Sequence, residues 1–368
     1  GDDRELVAFG HTGSDGTHAW VFPDQKAMVL YFTQSRGTRS GLRVEEALGD
    51  LLLGVPFDAN QAAPPLEQYL GYYWEGENDL YRAIVRDGED LALEIMGQGV
   101  VPLSYAGGDR WKFRPNPSIV LEFDRAEDGT VTGYHIGDHQ EFRFEPAAEL
   151  PGADELAARV AATHRIDLLE SLGSFRMTGT VTFVGSDVSG ETSTLLAWPG
   201  RWREDSVIGE EFEHVAFDGQ RVWYASKATP AAPLEGLQAE LVRTSGPFVR
   251  YGDWRRAGPE PRVIQQLERG NRQVLLVRTG DTSAPARTFY VDVETGRVLR
   301  EEGLTFIPGL GRIGQRITYG DFREVSGMLL PFETKLEFPN PMLPEIEVTI
   351  TDTEAGVEVP AGTFELAD

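Results

Sequence analysis

The stretch Phe175-Arg176-Met177-Thr178-Gly179-Thr180-Val181-Thr182-Phe183-Val184 predicts a β-strand, because β-branched and aromatic residues favour extended backbone. It opens the longest strand-rich part of the chain. Further predicted strands run from Thr192 to Trp198, Gln273 to Val277, Thr288 to Asp292, Arg316 to Tyr319, Leu329 to Phe338 and Ile346 to Ile350. One helix is predicted before them, from Ala153 to Ser171, since Pro151 and Asp154 favour a helix start. Residues 151–368 therefore predict an antiparallel sheet with one helix.

A second strand-rich segment precedes this one, over residues 65–146. Glycines at positions 88 and 129 favour hairpin turns, because glycine tolerates a positive φ. The predicted strands between such turns include Leu91 to Ile95, Ile119 to Phe123 and Glu141 to Phe144. Short strands at regular spacing indicate a small antiparallel barrel. We expect a filled interior, with an enclosed ligand as the alternative.

Residues 1–54 form a third segment, joined to the barrel by a Pro-rich loop at 60–65. A strand is predicted to end at Gly10, and a hairpin turns over Pro23-Asp24-Gln25. Residues 41–53 have one-sided helical spacing of apolar residues. The segment therefore predicts three strands and a terminal helix.

Composition excludes several function classes. The 368 residues carry a net charge of −25, and this charge disfavours a nucleic-acid partner, which needs a basic surface. Without cysteine the chain forms no disulfide and has no thiolate metal site. No apolar run approaches the roughly 18 residues that span a membrane. We predict no metal and no cofactor.

A short motif near the start points to catalysis. The run Phe9-Gly10-His11-Thr12-Gly13-Ser14 resembles the third active-site motif of the serine β-lactamase and penicillin-binding-protein superfamily, especially the class C β-lactamases and related esterases and peptidases. The resemblance implies an edge strand that faces a catalytic serine. It also implies that His11 replaces the motif's cation, Thr12 binds substrate, Gly13 allows close approach, and Ser14 donates an N–H to an oxyanion.

The nucleophile of that superfamily is absent. None of the four lysines follows a serine by three residues, so Ser-x-x-Lys does not occur, and acyl transfer cannot begin without an activated serine. The chain also begins directly with Gly1-Asp2-Asp3-Arg4 and then a strand pattern. We therefore expect the chain alone to be inactive, with an N-terminal part of the same protein as the partner that supplies the serine.

The other two segments also carry resemblances. Residues 66–73, 129–134 and 141–144 resemble the lipocalin-like domain that follows many such hydrolases, which implies a closed antiparallel barrel. Residues 172–180, 217–223, 289–296 and 319–332 resemble the LolA/LolB-like lipoprotein-carrier fold, which implies a half-barrel whose apolar concave face holds acyl chains. The predicted fold is thus mainly β, with a β-lactamase-like α/β remnant (1–54), a lipocalin-like barrel (65–146) and a LolA-like half-barrel (151–368).

Aromatic residues of the third segment are candidates for the wall of an acyl-binding surface, with an ordinary core as the alternative. They are Trp198, Trp202, Trp223, Phe248, Trp254 and Phe306.

Three hypotheses follow. The first is the C-terminal part of a serine hydrolase that acts on an ester, amide or peptide carbonyl of a small-molecule or peptide substrate. The second is a non-catalytic module that binds a lipid or acylated ligand. The third is a scaffold. The resemblances imply a periplasmic or secreted protein.

Overall fold

The computed structural model describes residues 9–12, 17–32, 64–75, 81–95, 99–114, 116, 119–144, 149–254, 261–280, 287–307, 311–338 and 343–365. The chain divides into two compact units. The first contains Gly1–Glu145 and Ile307–Arg312, and the second contains Pro146–Phe306 and Ile313–Asp368. Each unit is described by itself below. The predicted division into three domains stays a prediction.

A small antiparallel sheet lies in the first unit. Its strands follow the order β1-β2-β3, with bounds β1 Phe9–Thr12, β2 His18–Phe22 and β3 Ala27–Tyr31. The turn between β2 and β3 contains a hydrogen bond of 3.0 Å from the Lys26 N–H to the Pro23 carbonyl. This confirms the predicted hairpin. The helix predicted at 41–53 lies outside the described residues.

The first unit also contains a closed eight-stranded antiparallel barrel. Its strands are β4 Gly71–Trp74, β5 Tyr81–Asp87, β6 Asp90–Ile95, β7 Gly99–Gly107, β8 Arg110–Phe113, β9 Val120–Arg125, β10 Val131–Ile136 and β11 His139–Arg143. The barrel closes because β11 pairs with β4. Buried aromatic rings pack in its interior, among them Tyr73, Trp111 and Phe123. The interior of this barrel is thus a packed core.

The second unit is built on one 13-stranded sheet. In space the strands follow the order β17-β16-β15-β14-β13-β12-β24-β23-β22-β21-β20-β19-β18. Their bounds are β12 Ser174–Phe183, β13 Ser189–Ala197, β14 Arg201–Ile208, β15 Glu211–Phe217, β16 Val222–Ser226, β17 Thr229–Pro233, β18 Arg262–Arg269, β19 Arg272–Thr279, β20 Arg287–Asp292, β21 Val298–Ile307, β22 Gly311–Val325, β23 Met328–Glu337 and β24 Ile346–Ala355.

This sheet is strongly curved. Strands β14 and β22 stand five places apart in the sheet, which corresponds to about 24 Å in a flat sheet. Nevertheless Glu204 of β14 and Gln315 of β22 line the same cavity. Curvature therefore gives the sheet a concave face that partly encloses space, and an outer face on the opposite side.

The second unit also contains helices, and one of them is shorter than the sequence predicted. Helix α1 spans Ala153–His164 and buries Leu156, Val160 and His164. It does not continue to Ser171, because Arg165 adopts a left-handed φ of 51°. A 3₁₀ turn at Ile166–Leu168 and a short helix α2, Leu169–Leu172, follow. Helix α3 spans Gly236–Thr244, and a 3₁₀ turn covers Val249–Tyr251.

The fold class predicted from sequence is confirmed as mainly β, with a closed antiparallel barrel and a large antiparallel sheet with a helix. Among the described residues, no helix is long and apolar enough to cross a membrane.

Candidate functional site

The concave face of the second unit contains a cavity of about 270 Å³. Alternate residues of neighbouring strands line it, because side chains of a strand alternate between the two faces of the sheet. On β14 these are Trp202, Glu204 and Ser206, and the paired residues on β15 include Val215 and Glu213. We call this space the inner cavity. One water molecule occupies roughly 30 Å³ in the liquid. At that volume per non-hydrogen atom, the inner cavity has room for about nine such atoms.

The floor of the inner cavity is apolar. Strand β24 contributes Val348 and Ile350, and neighbouring strands contribute Met177, Ile317 and Leu336. These residues belong to strands β12, β24, β23 and β22, which are adjacent in the middle of the sheet. The floor can therefore hold the apolar part of a ligand.

The roof comes from the chain between β17 and β18. Val242 and Ser245 lie at the end of α3, and Arg250 and Tyr251 lie in the 3₁₀ turn that follows. Close approach of this segment requires Gly246, because a Cβ at that position would stand 2.7 Å from the Trp202 indole nitrogen. Trp202 also borders a second cavity of about 350 Å³, which we call the end cavity.

Two kinds of charge occur on the concave face. Arg287 and Glu301 form an ion pair of 3.2 Å and are only 3% and 2% exposed. Arg250 is different, because its guanidinium lies 5.2 Å from the centre of the Tyr319 ring, and its buried Nε has no hydrogen-bond partner. Burial acts to lower the pKa of Arg250, but the pKa still rises because Tyr319 and Tyr251, and then Glu301 and Glu204, favour the charged form. The first pair is structural, whereas Arg250 keeps capacity for hydrogen bonding.

Two carboxylates face the inner cavity from β14 and β15. Burial raises the pKa of the Glu204 carboxyl, and although Arg250 opposes this rise, Glu301 and Glu213 add to it. Burial also raises the pKa of Glu213. Glu213 nevertheless lies at the surface, where solvent reaches its side chain. The cavity thus opens to water at its acidic end.

The structure separates the six aromatic residues that were predicted as one wall. Trp202 and Phe306 line the inner cavity, and Phe248 lines the end cavity together with Trp202. Trp254 packs in a core cluster and stacks on Phe289 with centroids 5.8 Å apart.

Two members of the six lie elsewhere. Trp223 pairs with Ala216 on the outer face, because its neighbours Val222 and Tyr224 point to the concave side. Its indole N–H donates a hydrogen bond of 2.9 Å to Asp218. Trp198 is 41% exposed. The six residues therefore do not form a continuous wall, and the surface around the inner cavity is less apolar than the sequence led us to expect.

Sequence reasoning missed the polar residues of the inner cavity. Glu204, Glu213, Arg250 and Gln315 all line it. A signal for Glu204 exists in the run Trp202-Arg203-Glu204-Asp205-Ser206, where alternation puts the glutamate on the same face as Trp202. No comparable pattern marks Arg250 or Gln315, whose approach to the cavity depends on the curvature of the sheet.

The predicted catalytic motif is only partly described. His11 and Thr12 are the last residues of β1 and pair with Ala19 and His18. Among the described residues, strand β1 stands at the end of the order β1-β2-β3, and the edge strand that the resemblance implies stays a prediction. Gly13 and Ser14 lie outside the described residues. The catalytic roles of all four stay predictions.

No group of three or more metal-ligating side chains occurs in the part of the chain that the structure describes.

Comparisons with known proteins give structural neighbours only. No protein-family model matches the chain, and no curated protein matches it. A LolA superfamily protein from Nitrosomonas europaea is 14% identical with a TM-score of 0.41, covering 58% of this chain and 98% of its own. A DUF1329 family protein from Desulfovibrio piger is 9% identical with a TM-score of 0.40, covering 58% and 95%.

A domain from Vibrio parahaemolyticus, provisionally named an outer membrane lipoprotein-sorting protein, is 10% identical with a TM-score of 0.38, covering 58% of this chain and 95% of its own. With TM-scores below 0.5, these neighbours do not decide a function. The functional conclusion therefore depends on the inner cavity itself.

Proposed function

We propose that the chain is a non-catalytic binding module that holds a small amphipathic molecule in the inner cavity. The observation that carries this proposal is the combination of an apolar floor with a polar, solvent-accessible end in one space of about 270 Å³. Ligand sites are mostly apolar concavities with a few polar groups that fix orientation. This function corresponds to the second hypothesis from the sequence, an acyl- or lipid-binding module.

The size of the cavity restricts the ligand. The volume lies just below the roughly 300–1,000 Å³ of typical small-molecule pockets. A full-length lipid does not fit inside this space, whereas a chain of about eight carbons with a small head does. The apolar part would contact Val215, Val348 and Ile350 on the floor and side of the cavity.

Isothermal titration calorimetry with 1-octanol tests this proposal. We expect binding of one molecule per chain with a negative heat-capacity change, because apolar surface is buried. The variant Val215→Trp fills the inner cavity and should lower the affinity at least about tenfold, or about 1.4 kcal/mol.

A matched variant controls for the added ring. Val207→Trp makes the same change on β14 at an exposed position. Val207 alternates with Ser206, so it points away from the inner cavity. The affinity of the Val207→Trp variant for 1-octanol should equal that of the wild type. Absence of binding to the wild type, or equal binding to Val215→Trp, would contradict the proposal.

A second candidate function is the C-terminal part of a β-lactamase-like serine hydrolase. The position of β1 at the end of the strand order among the described residues, with His11 and Thr12 at the end of the strand, supports it. In this proposal an N-terminal part of the same protein supplies Ser-x-x-Lys, and the protein is periplasmic or secreted. Intact mass spectrometry of the protein from its native source tests this. A co-eluting polypeptide with Ser-x-x-Lys supports the hydrolase, and a single species of 40.7 kDa argues against it.

A further inference from the structure

The acidic end of the inner cavity differs from the other acidic positions on the same strands. Asp205, on the outer face of β14, forms an ion pair of 2.8 Å with Arg203 and lies 2.6 Å from His214. Glu211, at the start of β15, forms an ion pair of 3.0 Å with Lys227. This hairpin therefore pairs its acidic groups wherever they face the outside or the turn.

Glu204 and Glu213 do not follow this rule. In the strand register, Glu204 stands opposite Val215, and Ser206 stands opposite Glu213. The two glutamates are therefore diagonal neighbours on one face of the sheet, with their Cα atoms about 7–8 Å apart. Among the residues that the structure describes, no basic side chain lies within ion-pair distance of either carboxylate. Two like charges so close together are unfavourable, and Arg250 offsets only part of the charge, at Glu204. A cation brought by a ligand would relieve this.

A separate observation comes from the opposite side of the inner cavity. Gln315 of β22 lines the cavity and is only 8% exposed. No described residue forms a hydrogen bond with its side-chain amide. A buried amide usually has a hydrogen-bond partner in the protein. Gln315 therefore presents an unused carbonyl acceptor and N–H donors to whatever occupies the cavity.

We propose that the ligand of the inner cavity carries a protonated amine, which Glu204 and Glu213 bind while its apolar chain packs on Val348 and Ile350. This inference rests on the binding function proposed above. An ammonium group offers three donors and no acceptor, so it suits two carboxylates and the Gln315 carbonyl. Charge-assisted hydrogen bonds of this kind are roughly twice as strong as neutral ones.

A carboxylate head is the competing choice, because Arg250 also lines the cavity. However, Arg250 lies over the face of Tyr319, and the charges of Glu301 and Glu204 already act on it. An incoming carboxylate would meet two further carboxylates at the open end. The balance of charge along the inner cavity thus favours a cation.

Calorimetry with three ligands of equal chain length tests the inference: octylamine, 1-octanol and octanoate, each below its aggregation concentration. We expect octylamine to bind the wild-type chain at least about tenfold more tightly than 1-octanol. Glu213→Gln should remove most of this advantage, so that the ratio of the octylamine affinity to the 1-octanol affinity falls toward one. Glu210→Gln is the matched control, because Glu210 lies on the same hairpin, is exposed and contacts Lys227 outside the cavity.

The outcomes separate the two proposals. Equal affinity for octylamine and 1-octanol, or tighter binding of octanoate, overturns the amine inference and leaves the binding function standing. Failure of all three ligands to bind the wild type overturns both. The comparison of ligands on the wild type needs no variant to fold. A second readout is salt, since added salt should reduce the octylamine advantage by screening the carboxylates.

Discussion

The closed barrel and the curved sheet of this chain use their interiors differently. The eight-stranded barrel of the first unit packs aromatic rings inside, with Tyr69 and Phe123 at a centroid distance of 4.5 Å. Its buried Tyr73 hydroxyl donates a hydrogen bond of 2.6 Å to the Tyr69 carbonyl. The curved sheet of the second unit instead leaves a cavity of about 270 Å³, lined by two carboxylates that form no ion pair with any residue that the structure describes.

Closure explains this difference. A barrel of eight strands is just wide enough for side chains to fill, so its interior mainly contributes to stability. An open curved sheet needs separate elements to cover its concave face. Here α3 and the 3₁₀ turn at Val249–Tyr251 do so incompletely. The comparison predicts that changes in the barrel affect stability, whereas changes around the inner cavity affect binding.

The largest expected effect is in the barrel. Trp111 is fully buried there and lies 5.7 Å from Tyr69 in an edge-to-face contact. Trp111→Ala should lower the free energy of unfolding by about 3–5 kcal/mol, because it leaves a cavity in a packed core. Urea unfolding measures this loss. Trp198→Ala, at an exposed position, serves as the control and should change stability by less than about 0.5 kcal/mol.

A loss of stability of similar size is expected at the buried ion pair between Arg287 and Glu301 in the second unit. Glu301→Gln leaves Arg287 buried without its counter-charge, and this should cost about 3–5 kcal/mol. Glu211→Gln removes an exposed partner of Lys227 and should cost less than about 1 kcal/mol. Equal losses for the two variants in urea unfolding would show that Arg287 and Glu301 are not a structural pair.

Enlarging a side chain compares the two interiors directly. Leu103→Trp overfills the barrel core, where Leu103 is fully buried, and should cost about 1–3 kcal/mol. Val348→Trp extends into the inner cavity and should cost less than about 1 kcal/mol, because space is available. Thermal unfolding of both variants checks this. The comparison fails if Val348→Trp destabilises the chain as strongly as Leu103→Trp.

The smallest effect concerns pH. Burial raises the pKa of Glu213 in the folded chain, so the folded state binds more protons than the unfolded state above about pH 4.3, the ordinary glutamate value. Stability is therefore lost as pH rises through the raised pKa.

Glu213→Gln should accordingly stabilise the chain at pH 7, by at most about 1 kcal/mol since water reaches this group. Below about pH 4 the variant and the wild type should be equally stable, because the carboxyl is neutral in both states. Unfolding curves at both pH values measure the difference. Destabilisation at pH 7 would mean that the Glu213 charge is satisfied within the fold.

Much of the fold was predictable from local patterns. The β2–β3 hairpin was found because strand residues flank a turn at Pro23. The strand from Ser174 to Phe183 was found because its composition favours extended backbone. The helix after Ala153 was predicted too long because Arg165, which ends α1, adopts a left-handed conformation that its residue type does not indicate.

The candidate site was less predictable. Trp202 and Phe306 were found as aromatic residues, but aromatic type does not tell which face of a sheet a residue occupies. Trp223, one position away from an inward-facing residue, lies outside for this reason. Gln315 and Glu204 line the same cavity only because the sheet curves across five strand spacings, and this curvature is a property of the whole sheet.

The central claim is that a ligand occupies the inner cavity of the curved sheet and not the barrel. Methyl-labelled protein with bound 1-octanol tests it by nuclear Overhauser contacts between ligand protons and side-chain methyl groups. We predict contacts to the methyl groups of Val215, Val348 and Ile350, which line the inner cavity. Contacts to Ile84, Leu93 or Leu103 in the barrel core, without contacts to these three, would contradict the account.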